Sequence, residues 1–369
     1  MRIIISINTT WNIYNFRLSL INELQKFGHE IIAIAPKDKY ASKLENINVK
    51  CHNINLNPEG TNPIDDIILV YQYYKLFKDL KPDCILSYTI KPNIYGNFAA
   101  RLLNIPTINN ISGLGTLFIK KSIATHFGKI LYKLSLNYSY QTFFQNNDDK
   151  NLFVKNKLVK RKISSLIPGS GVDIKKFNCI RIQNKANKFL FVGRLIADKG
   201  IFEYLDAAVS VLKKHPKKEF LIIGELGCNN KTALSKTQIE GYTERYPQIK
   251  YLGKTDNIAS LLESVDVMVL PSYREGLSKS LIEAASMSLP IITTNVPGCR
   301  DVVEDGFNGF LCRIKSKSSL ERAIYRMIDL NEDKRLEFGV NGRKIAVDKF
   351  SSVLVNKIYL EKINKIINS

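Results

Sequence analysis

Pro271-Ser-Tyr-Arg-Glu-Gly-Leu-Ser-Lys-Ser-Leu-Ile-Glu-Ala-Ala285 joins a strand, a turn and a helix, and it carries two carboxylates, Glu275 and Glu283. The run before it, Val265-Asp-Val-Met-Val-Leu270, is short, apolar and β-branched. Such a run suits a strand buried on both faces and stopped by Pro271. Gly276 lets the backbone pass close to a ligand, Leu277 follows it, and Ser278 is the expected N-cap of a helix over Lys279–Met287. The first amides of that helix, left without intrahelical partners, form an anion site with the helix dipole. Side chains lean back toward a helix N-terminus, so Glu275 and Glu283 can face one ligand there.

A carboxylate pair beside an anion site can accept hydrogen bonds from vicinal hydroxyls of a ribose or hexose while the helix N-terminus holds phosphate. The blander reading is a glutamate that complements the dipole and a second one on a wet helix face. The stretch resembles the Glu-x7-Glu signature of the retaining glycosyltransferases of family four, on the GT-B fold, and its flanking Pro-Ser, Glu-Gly and Glu-Ala strengthen the match. The resemblance covers nearly the whole chain and is closest to bacterial enzymes that build lipid-linked surface glycans. It implies an α/β chain of two Rossmann-like domains facing a cleft. Residues 1–170 would bind the acceptor, with the helix 351–369 packing back on them, and residues 171–350 would bind a nucleotide sugar.

At 369 residues and 45% hydrophobic content, the chain is long enough for two ordinary domains, each with its own core. Met1-Arg-Ile-Ile-Ile-Ser-Ile7 reads as a strand and lacks the apolar core and cleavage site of a signal peptide. No apolar run has the length to span a bilayer. Six cysteines are scattered without Cys-x-x-Cys pairing, which argues against a zinc site or disulfide framework and for a reduced, cytosolic setting. The net charge of +20, from 54 basic and 34 acidic residues, implies an anionic partner or surface. Between Asp83 and Asp148 there is no carboxylate, while Lys91, Arg101, Lys120, Lys121, Lys129 and Lys133 fall there. A lysine-rich composition bias accounts for global charge more easily than for this local gap. Nucleic acid is not the expected partner, because no basic stripe interleaved with aromatics and no binding motif occurs.

Strand and helix patterns alternate from the start: strand Ile3–Ile7, helix Phe16–Phe27, strand Glu30–Ala35, helix Ile64–Leu80, strand Cys84–Ser87, helix Ile94–Leu103 and strand Thr107–Ile111. Ligands in such sheets sit beyond the carboxyl ends of the strands, which directs attention to three loops. The loop from Asn8 to Arg17 has no glycine where many relatives of the resembled family carry them, leaving Asn12, Asn15 and Arg17 either as acceptor contacts or as helix caps. In the second loop, Lys91 and Asn93 stand near a helix start where phosphate or sugar would be well received. The third is Asn109-Asn-Ile-Ser-Gly-Leu-Gly-Thr116, in which Ser112, before Gly113, matches the position where many family members place a histidine. In Ile119–Tyr138, the residues Ile123, Phe127, Ile130, Leu131, Leu134 and Tyr138 recur at helical spacing. Two readings stand for this helix: a stripe packed into the core, or docking to a membrane surface through the neighbouring lysines. His126 reads as a surface residue.

Pro168-Gly-Ser-Gly-Val-Asp173 has the density of a linker. Strand Lys188–Val192 then leads into Gly193-Arg-Leu-Ile-Ala-Asp-Lys-Gly200 and the helix Ile201–Lys213, where Arg194 and Lys199 can clasp a diphosphate. By resemblance, the loops carrying Glu225 and Lys254, after strands Phe220–Ile223 and Lys250–Leu252, border the nucleobase. A further strand is expected at Pro290–Thr294, a turn at Asn308-Gly309 and a last helix at Ser351–Ile367.

The resemblance implies transfer of a hexose or N-acetylhexosamine, with retention, from a UDP-linked donor to a polyprenyl-diphosphate-linked sugar. That places the enzyme in O-antigen, capsule or protein-glycan assembly, peripheral on the cytoplasmic face of the inner membrane. Arg194, Lys199 and the amides after Glu275 would stabilise the departing diphosphate in place of a metal, Glu275 would hold the donor hexose, and Glu283 the ribose. No Asp-x-Asp occurs, no double-displacement nucleophile is evident, and no cofactor is expected. A UDP-sugar epimerase of the same fold is the rival, distinguished by turnover without an acceptor.

Overall fold

In the computed structural model, which describes residues 1–58, 60, 62–114, 123–227, 230 and 232–368, the chain divides into two compact α/β units. One comprises Met1–Ser170 with Ser352–Ser369, and the other Gly171–Ser351.

The first unit is built on a parallel sheet of seven strands: β1 (Arg2–Ser6), β2 (Glu30–Ile34), β3 (Lys50–His52), β4 (Cys84–Tyr88), β5 (Thr107–Ile111), β6 (Gln141–Phe144) and β7 (Ser164–Leu166). Their spatial order is β3-β2-β1-β4-β5-β6-β7, so the winding reverses between β1 and β4. Period-two alternation makes both faces apolar: Ile3 and Ile5 belong to one core and Ile4 to the other. Helices α1 (Thr10–Lys26), α2 (Ala41–Glu45), α3 (Pro63–Leu80), α4 (Asn97–Leu102), α5 (Ile123–Leu136) and α6 (Asn147–Lys155) supply the covering layers. The start of α3 shows how locally these boundaries are set. Asn62 accepts from the Ile64 amide at 3.1 Å, Pro63 needs no donor at that position, and Asp65 and Asp66 complement the dipole.

Three helices depart from the sequence reading. The first, α1, starts at Thr10 and not at Phe16, capped by Thr9 accepting from the Asn12 amide, so Asn12, Asn15 and Arg17 lie on the helix and not in a loop. The helix expected at Ile94–Leu103 begins instead as a wide π-helical turn, Pro92–Gly96, before α4 continues it. Of the stripe on α5, Leu131 packs against the core and most of the other members do not. Phe127 is 61% exposed and Leu134 50%, with Ile130 and Tyr138 also outward, while Tyr132, Ser135 and Leu136 are buried. The reason lies in the partner. The helix packs on the Pro92–Gly96 turn, and Ser135 Oγ donates to the buried Asn93 carbonyl at 2.6 Å, which places a small polar residue where an apolar one would not reach that acceptor. Lys120 and Lys121 lie outside the described residues; His126 and Lys133 are exposed.

The second unit carries six parallel strands, β8 (Lys188–Val192), β9 (Glu219–Ile223), β10 (Ile249–Tyr251), β11 (Val267–Leu270), β12 (Ile291–Thr294) and β13 (Gly309–Cys312), in the order β10-β9-β8-β11-β12-β13. Here the winding reverses between β8 and β11. Helices α7 (Ile201–Lys214), α8 (Lys236–Arg245), α9 (Ile258–Glu263), α10 (Lys279–Ser286), α11 (Lys317–Asp329) and α12 (Glu332–Phe350) cover it. The final helix, α13 (Ser352–Ile367), belongs to the first unit, where Val355, Tyr359 and Ile363 join the core shared with α1 and Asn356 Nδ2 donates to Ser19. Among the described residues, no helix is long and apolar enough to cross a membrane.

Candidate active site

In a doubly wound sheet the strand order opens a crevice at the reversal, beyond the carboxyl ends of the strands. In the second unit that position is bounded by the loops after β8 and β11. Close backbone approaches bring them together. A Cβ on Gly224 would lie 1.9 Å from the Gly193 carbonyl oxygen, so only glycine lets the ends of β8 and β9 meet there. Gly200, at φ +75°, sits where a Cβ would be 2.2 Å from the Pro271 oxygen, which seats the β8–α7 turn against the end of β11. The Asp198 carbonyl accepts from the Tyr273 amide at 2.8 Å and from Ser272 Oγ at 3.1 Å. As a result Lys199 Nζ donates to Glu275 Oε1 in a largely buried ion pair. Arg194 is exposed on the same turn.

A third loop holds Glu275 in place, one the sequence reading did not single out. In Asn295-Val-Pro-Gly-Cys-Arg-Asp301, the Pro297 carbonyl accepts from the Glu275 amide and the Gly298 carbonyl from the Ser278 amide, each at 3.2 Å. Gly298 adopts φ +78°, a Cβ there would stand 2.6 Å from the Glu275 oxygen, and Asp301 accepts from its amide at 2.7 Å. A Pro-Gly pair directly after a strand was the available signal. Ser278 occupies the N-cap position of α10 in extended conformation, but its hydroxyl lies 3.3 Å from Ser280 Oγ and caps nothing. Its amide, expected to point outward, is spent on Gly298. Gly276 and Leu277 are buried in the same turn.

Glu283 lies a turn and a half into α10, its side chain mostly buried, with Lys279 Nζ at 3.5 Å. Burial pushes its carboxyl above the usual range, and the charge of Lys279 opposes that shift. Lys279 also donates to the Gly171 carbonyl at 2.6 Å, which fixes it between chain and carboxylate. Its i,i+4 spacing to Glu283 was legible but unused. Glu225 and Lys254 pair with each other on the surface.

In the first unit, the candidates divide. Asn12 Nδ2 donates to Asn8 Oδ1 at 3.4 Å, and Asn15 Nδ2 donates to the Trp11 carbonyl at 2.9 Å, so both side chains bond locally at the start of α1. Lys91 and Asn93 are not presented to a ligand, contrary to the sequence expectation. Lys91 Nζ is buried against Asp66 Oδ1 at 2.7 Å, and Tyr95 OH donates to the other oxygen of that carboxylate. Asn93 Nδ2 donates to the Asn110 carbonyl at 2.9 Å, and its own oxygen accepts from Asn109 Nδ2 at 3.0 Å. Both partners come from distant sequence, and a buried cation or amide must find a partner wherever the fold supplies one. Ser112 is exposed, its Oγ donating to Asn110 Oδ1 at 3.3 Å, and Gly113 follows at φ +132°. Arg17 is buried, with its guanidinium 4.0 Å above the Tyr88 ring.

Comparison with known proteins accounts for both units. Residues 173–345 match the family described as "Glycosyl transferases group 1", and residues 2–147 match "Glycosyl transferase 4-like". The chain is 26% identical to the N,N'-diacetylbacillosaminyl-diphospho-undecaprenol alpha-1,3-N-acetylgalactosaminyltransferase of Campylobacter jejuni, with 97% of each covered. It is 28% identical to the UDP-Gal:alpha-D-GlcNAc-diphosphoundecaprenol alpha-1,3-galactosyltransferase of Escherichia coli, over 86% of this chain and 83% of that one. Among solved structures, a glycosyltransferase from Rickettsia africae superposes with a TM-score of 0.81 at 17% identity, covering 99% of this chain and 98% of the other.

Proposed function

Because this chain belongs to the glycosyltransferases of the GT-B fold, we propose that it moves a hexose or N-acetylhexosamine, with retention, from a UDP-sugar to a polyprenyl-diphosphate-linked saccharide in surface-glycan assembly. The observation that carries this reading is the buried Lys199–Glu275 pair at the strand reversal of the second unit, with Glu283 on the adjoining helix. Both relatives named above, similar along most of their length, bear names that specify a diphospho-undecaprenol acceptor.

The chemical difficulty is negative charge growing on the departing diphosphate. Lys199, held in position by Glu275 before substrate arrives, needs little reorganisation to meet that charge, and exposed Arg194 adds a planar fork. Glu275 reaches the donor hexose, and Glu283 accepts hydrogen bonds from the ribose hydroxyls. Glu283 does so best when ionised, the form Lys279 favours. No metal enters this scheme. The front-face course, with the leaving phosphate taking the acceptor proton, is the mechanism that the resemblance to retaining GT-B enzymes implies.

A polyprenyl acceptor places the enzyme at a bilayer, which we assign to the cytoplasmic face of the inner membrane. The outward apolar side chains of α5, Phe127, Ile130 and Leu134, beside exposed Lys133 and in a stretch without carboxylates, suit an anionic lipid surface. This reading changes the anchor expected from sequence. Apolar side chains would enter the interface and lysines would only steer.

The test supplies a panel of UDP-sugars with and without extracted lipid-linked glycans. Donor consumption that requires the lipid-linked acceptor and yields an α-linked product is expected. Interconversion of a UDP-sugar without acceptor would overturn the transferase reading in favour of an epimerase. Changing Phe127, Ile130 and Leu134 together to Ser should release the protein from anionic vesicles; unchanged sedimentation would remove α5 from the membrane assignment alone.

A further inference from the structure

The first unit has its own strand reversal, between β1 and β4, and Arg17 occupies it. The residue lies on α1, the helix that follows β1, and its guanidinium covers the ring of Tyr88, the last residue of β4. Only 5% of Arg17 is exposed. Its Nε is sealed from solvent without a hydrogen-bond partner. The two terminal nitrogens are not among the sealed, unpaired atoms, yet they make no hydrogen bond or ion pair to any described residue. They therefore reach the small part of the residue that remains open. The groups around them are neutral: Tyr88 and Tyr359, both fully buried, with Asn110 Nδ2 donating to Tyr359 OH at 3.1 Å. Burial raises both phenols, the charge of Arg17 pulls both down, and no carboxylate contributes at either.

A guanidinium removed from water ordinarily finds a carboxylate, as Lys91 does with Asp66 nearby. A cation–π contact offsets only part of that cost. The remaining capacity is a planar fork of N–H donors opening at the carboxyl edge of a parallel sheet, the position where such sheets take ligands.

We propose that Arg17 is a diphosphate-binding site of the first unit, and that the diphosphate it takes is the one in the lipid-linked acceptor. The second clause rests on the acceptor class proposed above; the anion site does not. A nucleotide sugar presents the same chemistry, so the two sources must be separated experimentally. Phenylglyoxal labelling of Arg17 in the wild-type protein, read by peptide mass spectrometry, should be slowed several-fold by inorganic diphosphate and by a short-chain polyprenyl-diphosphate saccharide, but not by UDP. An Arg17 that does not label, or whose labelling ignores diphosphate, would overturn the site. Protection by UDP would assign it to the donor and overturn the second clause. Arg17→Met should raise the KM for the lipid-linked acceptor about 10- to 100-fold, with UDP affinity unchanged and kcat at saturating acceptor nearly retained; Arg17→Lys should recover part of the loss. A drop in kcat alone, with KM unmoved, would mark Arg17 as structural. Diphosphate protection in a protein that transfers nothing to lipid-linked acceptors would leave the site standing and remove the proposed acceptor.

Discussion

The carboxyl edges of the two sheets present the same backbone plan and opposite chemistry. In the second unit, glycines at 200, 224 and 298 bring four loops into contact and leave a charged pair, Lys199 with Glu275, at the reversal. In the first unit, the side-chain amides of Asn93, Asn97 and Asn109 bond to one another, with Asn97 Oδ1 left unpaired, and Arg17 has no ion pair among the described residues. Fold therefore settles where ligands can bind but not what they are. Paired charges poised at an edge suit a step in which charge develops, whereas a neutral hydrogen-bonded network suits rigid positioning of a group whose charge does not change.

The sharpest way to break this contrast is Lys199→Ala, for which kcat should fall about 100- to 1000-fold, roughly 2.7–4 kcal/mol, with a smaller loss of donor affinity. Combined with Glu275→Ala, the losses should be strongly non-additive, since each side chain holds the other. Additive losses in a double-mutant cycle would mean that the ion pair has no functional coupling.

Glu283→Ala comes next, with UDP affinity reduced by about 1.5–3 kcal/mol, or one to two decades. Because burial raises the carboxyl of Glu283, protonation begins at higher pH than for an ordinary glutamate. Affinity carried by the ionised form is then present at high pH and lost as pH falls through that raised value. Calorimetric titration of UDP across pH should show this decline in the parent and its absence in Glu283→Gln. A parallel decline in both proteins would assign the titration elsewhere.

In the first unit, Asn109→Ala should act on stability instead. It removes one buried partner from each of Asn93 and Asn97, which keep the Asn110 carbonyl and Ser139 Oγ, at a cost of about 1–3 kcal/mol by denaturant unfolding, while UDP affinity stays unchanged. A loss of UDP affinity without destabilisation would erase the distinction between the two edges. Smallest of all, Lys254→Ala removes an exposed pair with Glu225 worth about 0–1 kcal/mol. A larger fall in donor affinity would show that Lys254 meets the nucleotide directly.

The parallel α/β plan was readable because periodicity is local. Ile3 to Ile5, Phe189 to Phe191 and Val267 to Leu270 are apolar runs that only a doubly covered strand can use. The short strands β3 and β7 and the polar-rich β6 were not read, since Lys50, Ser164 and Gln141 carry no apolar run to announce them. On α5 the correct period gave the wrong face, because helical spacing identifies a stripe without saying what covers it. The site divides in the same way. Glu275, Glu283 and Lys199 stand out in short motifs, while Gly298 and Lys279 act through contacts to those motifs.

What the sequence determined alone was the kind of layer each segment forms and which charged residues lie at strand ends, because side-chain period and turn chemistry are properties of neighbouring residues. Tertiary structure decided which charges remain for a ligand. Lys91 was claimed by Asp66, Lys199 was held by Glu275 at the strand reversal, and Arg17 was buried with no carboxylate partner among the described residues. These outcomes differ because the partner of a buried charge is supplied by strand order and helix packing, across separations of tens of residues that no local pattern encodes.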